Sequence, residues 1–219
     1  MLDIIYEDNH LIAINKKAGD IVQADKTGDA PLSERLKNYI KKKYNKPGNV
    51  FLGVIHRIDR PTSGVVVFAK TSKSLSRMNL LLRNNQVKKT YWAIVSKVPP
   101  KESEVLENYL IKNNKLNKSF VSEEENAKKG ILKYKLIKNT KNFFLLKITP
   151  KTGRHHQIRV QLSNIGCIIK GDLKYGAKRS NKDKSICLHA KNIEFLHPVK
   201  KQKIIINATL PNSDIWQEI

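Results

Sequence analysis

Cysteine is nearly missing from this 219-residue chain. Cys167 and Cys187 are its only two, and they lack the paired spacing of a metal site. Two isolated cysteines point to buried, reduced thiols rather than a disulfide framework. Long apolar runs are missing as well: nothing approaches the roughly 18 consecutive apolar residues of a membrane helix. The start, Met1-Leu2-Asp3-Ile4-Ile5-Tyr6-Glu7-Asp8, carries early acids and no basic segment ahead of an apolar one, so it is not a signal peptide. A cytoplasmic protein with no membrane partner is expected. Phosphate-loop and dinucleotide fingerprints are absent, and no nucleophile elbow supports a hydrolase triad drawn from Ser63, Asp59 and a histidine. There are no internal repeats. Acids are the last scarcity, 19 Asp and Glu against 42 Lys and Arg. They do not cluster as a metal-dependent nuclease requires.

What is present begins with charge. The balance of +23 attracts phosphate polyanions, with counterion release supplying much of the binding energy. A Lys- and Asn-rich composition also arises from genome base bias, so part of the excess can be passive. No strongly amphipathic basic helix stands out, which favours nucleic acid over a membrane surface. With 40% hydrophobic and 28% charged residues the chain reads as globular. At this length one domain spanning 1–219 is expected, burying about 70% of its unfolded surface.

Hydrophobic patterning predicts a hairpin over Ile4–Asn15, broken at Lys16-Lys17-Ala18-Gly19-Asp20, then a loop to Ala30. Pro31 suits a helix first turn, with Leu32, Leu36 and Ile40 every four residues. Val65–Lys70 reads as a buried strand. Thr71-Ser72 is an N-cap for a helix carrying Leu75, Met78 and Leu82, with Met78 in the core. Strands are predicted at Val87–Val95, Val105–Ile111, Ile131–Ile137 and Phe143–Ile148. The polar stretch 112–129 reads as a mobile excursion. A helix is expected from about Arg154, with Ile158, Leu162 and Ile165 buried and Gly166 as C-cap. Cys167–Lys170, Ile186–Phe195 and Lys203–Leu210 complete a mixed, mainly antiparallel sheet. The class is α+β.

Three stretches concentrate unusual residues. His56-Arg57-Ile58-Asp59-Arg60-Pro61-Thr62-Ser63-Gly64 sets one carboxylate between two arginines on a Pro- and Gly-shaped loop. By itself it reads equally as a surface ion-pair turn or as a place for chemistry. The second is Lys88-Lys89-Thr90-Tyr91-Trp92. The third is Lys151-Thr152-Gly153-Arg154-His155-His156-Gln157-Ile158-Arg159. A helix there puts His155 and Arg159 on one face, and an arginine beside a buried stripe needs an anionic partner, for which Asp59 is the candidate. Adjacent helical residues point about 100° apart, so His155 and His156 do not share a metal.

These residues resemble the RluA-type family of RNA pseudouridine synthases. His56 to Gly64 is similar to the motif HR(L/I)DRxTSG, and Lys89-Thr90-Tyr91 to the K-x-Y element. Thr152 to Arg159, Gly171-Asp172 and Tyr175-Gly176 are similar to TGRxHQIR…GD…YG, and Leu188-His189-Ala190 and His197-Pro198 to LHA…HP. The resemblance implies an α+β pseudouridine synthase fold with a central antiparallel sheet and a basic RNA cleft. It implies isomerisation of uridines in structured rRNA or tRNA, without cofactor, metal or obligate protein partner. By the same carry-over Asp59 is the essential carboxylate, Arg159 its basic partner, and Tyr91 an aromatic face and hydroxyl for the uracil. The uridine has to be flipped out of its stack to reach them. Arg57 either meets the RNA or serves the structure, Arg60 supports the loop, and Arg154 and His155 are candidate RNA contacts, His155 equally a structural histidine. The family's Lys-Pro-Ala-Gly is here Lys16-Lys17-Ala18-Gly19. The additional N-terminal RNA-binding domain that many relatives carry is expected to be absent, with target selection from the catalytic domain, residues 112–129 included. A catalytically silent RNA binder on the same scaffold is the rival reading.

Overall fold

The computed structural model describes residues 2–25 and 28–218, so the early loop expected to reach Ala30 falls partly outside the described residues. The chain divides into two compact units: residues up to Val87 with Ala190–Thr209, and Lys88–His189 with the segment from Leu210 onward.

In the first unit β1 (Ile4–Glu7) and β2 (Leu11–Lys16) form the expected hairpin. Strand β2 runs antiparallel to β4 (Ser63–Ala69), from Leu11 opposite Ala69 to Lys16 opposite Gly64. The two-residue β3 (Gly53–Val54) also pairs with β4. Strand β10 (Leu188–Leu196), nearly all in this unit, neighbours β4 and pairs antiparallel with β11 (Lys203–Asn207). Strands β2 and β4 are covered on both faces, which is why they read as unbroken apolar runs. Ile12, Ile14, Val66 and Phe68 meet Leu32, Leu36 and Ile40 of α1 (Leu32–Lys43). Leu11, Ala13, Val65 and Val67 meet Met78 of α2 (Ser72–Arg83) and Ile193, Phe195 and Ile206 of β10 and β11. Thr71 caps α2 by accepting from the Ser74 amide at 3.1 Å.

The second unit holds an antiparallel sheet ordered β5–β9–β8–β6–β7, built from β5 (Lys88–Val95), β6 (Ser103–Asn113), β7 (Lys118–Val121), β8 (Lys128–Asn139) and β9 (Phe144–Pro150). Alternation now shows. Leu132, Tyr134, Leu146 and Ile148 are buried while Lys133, Lys135 and Lys147 are exposed, as expected of a sheet covered on one face. Helix α3 (Gln157–Asn164) is fastened to the sheet by glutamines: Gln157 donates to the Ile131 carbonyl, and Gln161 to the carbonyls of Leu106 and Gly130 and to Asn108 Oδ1. A short α4 (Asp214–Gln217) lies near the C-terminus.

Three expectations are corrected. Residues 112–129 are not a mobile excursion. Most of them form the β6–β7 hairpin and the start of β8, turned by Asn113 accepting from the Leu116 amide and Asn117 in the left-handed region at φ 45°, a role Asn tolerates well. Helix α3 starts at Gln157 rather than near Arg154, because the Gln157 side chain accepts from the Arg154 amide and from Thr152 Oγ1 and folds 152–156 into a turn. His155 therefore does not share a helical face with Arg159. Cys167–Lys170 forms only an isolated bridge, Val95 with Ile169.

Candidate active site

Asp59 sits half-buried on the loop entering β4, and the loop's shape comes from its backbone. The Thr62 amide donates to the Asp59 carbonyl at 3.0 Å, closing a turn over Pro61. The next carbonyl, that of Arg60, accepts from the Gly19 amide at 2.9 Å and from Lys16 Nζ at 3.0 Å. Arg60 itself pairs with Asp29, so it supports the loop as expected. His56 accepts from the Val67 amide at 3.2 Å, while Arg57 is exposed. Gly64 takes φ 114°, and a Cβ there would lie 2.3 Å from the Ala190 carbonyl oxygen. The glycine of the motif is thus required by a neighbouring strand as well as by its own backbone.

Lys16 was read in the sequence only as part of a strand breaker. It is the last residue of β2 and just 1% exposed. Its stem fills the interior and its ammonium donates to the carbonyls of Lys17 and Arg60. Burial pulls its pKa from 10.5 to about 7, against the carboxylates of Asp20 and Asp59, which favour the charge, while Arg60 disfavours it. The sign of the consequence follows from linkage. Below about 7 the folded chain carries the whole cost of a buried ammonium. Between about 7 and 10.5 it sheds a proton that the unfolded chain keeps, so this group's contribution to stability improves as pH rises. Urea unfolding of wild type and Lys16→Met at pH 7 and pH 10 is expected to show wild type gaining on the variant at the higher pH. A constant difference would mean that Lys16 is not a strained buried cation.

In the second unit Tyr91 is 9% exposed in β5, opposite Ile148 of β9. Two residues before it, burial lowers the pKa of Lys89. A Cβ placed on Gly153 would lie 3.8 Å from Lys89 Nζ, so this ammonium reaches the turn ahead of α3. Arg159, 5% exposed on α3, makes a bidentate pair with Asp172 (1% exposed): Nε to Oδ2 and Nη2 to Oδ1, both 2.7 Å. Its guanidinium also lies 5.0 Å from the Tyr175 ring centroid. Asp172 and Tyr175 belong to one turn, a 3-10 element over Leu173–Tyr175 flanked by Gly171 and Gly176 in the left-handed region. The sequence offers Asp59 as the candidate anion for Arg159. Asp172 supplies one, and only the motif GD marked it in sequence.

The hairpin joins this turn through Ser119. The Ser119 amide donates to the Tyr175 hydroxyl at 2.8 Å, and the Ser119 hydroxyl lies 2.8 Å from both His155 Nδ1 and the His155 carbonyl. His156, left-handed at φ 52°, stacks its ring on His155 at 3.8 Å and sets Nδ1 3.0 Å from the Tyr175 hydroxyl. Burial first, then the positive charges of Arg159, His155, Lys174 and Lys112, push the His156 pKa down to about 2, so the ring is neutral. His155 thus anchors the hairpin, the structural role it was allowed. Arg154 is exposed, its Nε donating to the Lys129 carbonyl.

Comparison with known proteins places the chain among relatives of one kind. The protein-family model described as "RNA pseudouridylate synthase" matches residues 10–164. A "Ribosomal large subunit pseudouridine synthase C" of Buchnera aphidicola subsp. Baizongia pistaciae is 35% identical over 215 residues, covering 94% of this chain and 66% of the relative. A "tRNA pseudouridine synthase C" of Vibrio vulnificus is 31% identical over 240 residues, covering 100% of this chain and 94% of the relative. The solved structure of "Human RNA Pseudouridylate Synthase Domain Containing 4" superposes with a TM-score of 0.80 at 25% identity, covering 96% of this chain and 89% of that one. The chain therefore spans about two thirds of the ribosomal relative's length and nearly all of the transfer-RNA relative's.

Proposed function

Because the chain belongs to the family of RNA pseudouridylate synthases, we propose that it isomerises selected uridines of structured ribosomal or transfer RNA to pseudouridine. The bond from ribose C1′ to uracil N1 breaks and a bond from C1′ to C5 forms. The C5 proton leaves and N1 gains one, so no oxidant or cofactor enters the balance. Asp59 is the carboxylate that acts at the ribose, on a loop whose backbone is fixed from β2, β4 and Gly19. A cation beside a carboxylate favours its charged form. Arg159, charged at any working pH, is the proposed partner. Tyr91 offers a ring face to the uracil and a hydroxyl for the C5 proton. Arg57 and Arg154, both exposed, are the proposed RNA contacts. His155 holds the hairpin with Nδ1 and is a proposed contact through the rest of its ring.

The observation that supports this reading most is the extent of the family match, which takes in Asp59, Tyr91 and Arg159 together. Binding alone would require the basic surface but not a carboxylate held on a purpose-built loop. A transcriptome-wide pseudouridine map with and without the gene tests it. One or a few uridines in rRNA or tRNA are expected to lose the modification. An unchanged map would favour the silent RNA binder.

A further inference from the structure

The Arg159–Asp172 pair is buried on both sides, at 5% and 1% exposure of the two side chains. Stability is a poor reason for such a pair. Removing two charges from water costs about as much as their attraction returns, and apolar replacements of similar volume are often neutral or better. Direction is a better reason. A guanidinium on four rotatable bonds has no fixed orientation, and a helix fixes only where its stem begins. Asp172 takes Nε and Nη2, which sets the plane of the group. Tyr175 lies under the same guanidinium.

The turn that carries both partners is itself fixed. Gly171 takes φ 86°, and a Cβ there would come 2.7 Å from the Ser185 carbonyl oxygen. The Asp172 carbonyl accepts from the amides of Tyr175 and Ala177. At its far end the Tyr175 hydroxyl accepts from the Ser119 amide of β7 and donates to the Ser119 carbonyl. A carboxylate on so constrained a backbone has little freedom to follow the arginine, so the arginine conforms to the carboxylate.

From this we infer that Asp172 is a positioning residue for the isomerisation, holding the Arg159 guanidinium in the one orientation in which it serves the reaction. The inference rests on the proposed role of Arg159 as the basic partner of Asp59. A misplacement of about 1 Å in such a group is enough to cost about a hundredfold in rate. Asp172 touches no reacting atom, so its loss lowers the chemical step and leaves RNA affinity nearly intact.

The test is single-turnover tritium release from RNA carrying [5-3H]uridine, with enzyme in excess. The probe is a pool of unmodified transcripts of the tRNAs and large-subunit rRNA from the source genome, and filter binding to the same pool gives affinity. Asp172→Asn is expected to lower the saturating rate by about a hundredfold while the half-saturating enzyme concentration moves less than about threefold. Arg159→Ala lowers the rate at least as far, and the double variant is no slower than Arg159→Ala alone, because the two residues act as one unit. Thermal unfolding shows which variants are folded. If Asp172→Asn does not fold, Asp172→Glu keeps the charge, displaces it by one methylene and is expected to be roughly tenfold slow at unchanged affinity. Wild-type rate in a folded Asp172 variant overturns the inference, as do rate losses that multiply in the double variant. Wild-type rate in Arg159→Ala would instead remove the role of Arg159 itself.

Discussion

Asp59→Ala is expected to release no measurable tritium from C5-labelled uridine, a loss of at least about 10,000-fold, while binding RNA within a few-fold of wild type. Both halves follow from how the loop is built. Its shape comes from backbone groups: the Thr62 amide on the Asp59 carbonyl, and the Gly19 amide and Lys16 ammonium on the Arg60 carbonyl. These contacts run through backbone atoms and Lys16, so they remain available when the Asp59 side chain is truncated at Cβ. RNA affinity draws on a chain whose formal charge is +23, and removing one carboxylate does not weaken an electrostatic attraction of that size. Chemistry has no such reserve, because a carboxylate that attacks or takes a proton is not replaced by its neighbours. A folded Asp59→Ala enzyme that formed pseudouridine at the normal rate would falsify the catalytic assignment.

The second large effect belongs to Gly64. An alanine there meets two penalties at once. The backbone sits at φ 114°, which side-chain-bearing residues rarely adopt, and the new Cβ would lie 2.3 Å from the Ala190 carbonyl oxygen and 2.6 Å from its amide nitrogen. Strain and overpacking each cost about 1–3 kcal/mol, and here the colliding atoms are strand backbone that cannot rotate away. Gly64→Ala is therefore expected to lose about 3–5 kcal/mol and to lower Tm by roughly 10 °C. Gly19→Ala is the control. It shares the positive φ, at 93°, but nothing lies within 4 Å of its added Cβ, so strain alone costs about 1 kcal/mol. Circular-dichroism melts of the two variants separate backbone strain from collision, and a Gly64→Ala melt no lower than that of Gly19→Ala would show that β10 gives way.

Local chemistry decided much of this protein before any folding. Leu32, Leu36 and Ile40 recur at the helical period and pack where that period puts them, on Ile12, Ile14, Val66 and Phe68. Thr71 precedes a helix and caps it. The unbroken apolar run in β4 forms a strand with both faces covered. Pro61 and Gly64 bracket a turn next to Asp59 because their allowed backbone angles are properties of the residues themselves.

Other features have no local cause. Lys16 looks like a loop lysine, and its burial depends on a carbonyl at Arg60, 44 positions away. Spacing puts His155 on a helix, yet the Gln157 side chain accepts from the Arg154 amide and holds 152–156 in a turn, with His155 Nδ1 at Ser119. Residues 112–129 are polar enough to pass for a mobile connection, and they are ordered because Tyr175 and His155 satisfy Ser119 from elsewhere in the unit. Arg159 calls for an anion, for which the sequence offers Asp59, and the fold pairs it with Asp172. Sequence alone determined most of the helices and strands and pointed to the family, since periodicity, capping and motif residues act at short range. Only the tertiary structure chose which carbonyls hold Lys16 and which carboxylate pairs with Arg159, because a buried charge is satisfied by whatever the fold brings within hydrogen-bond reach.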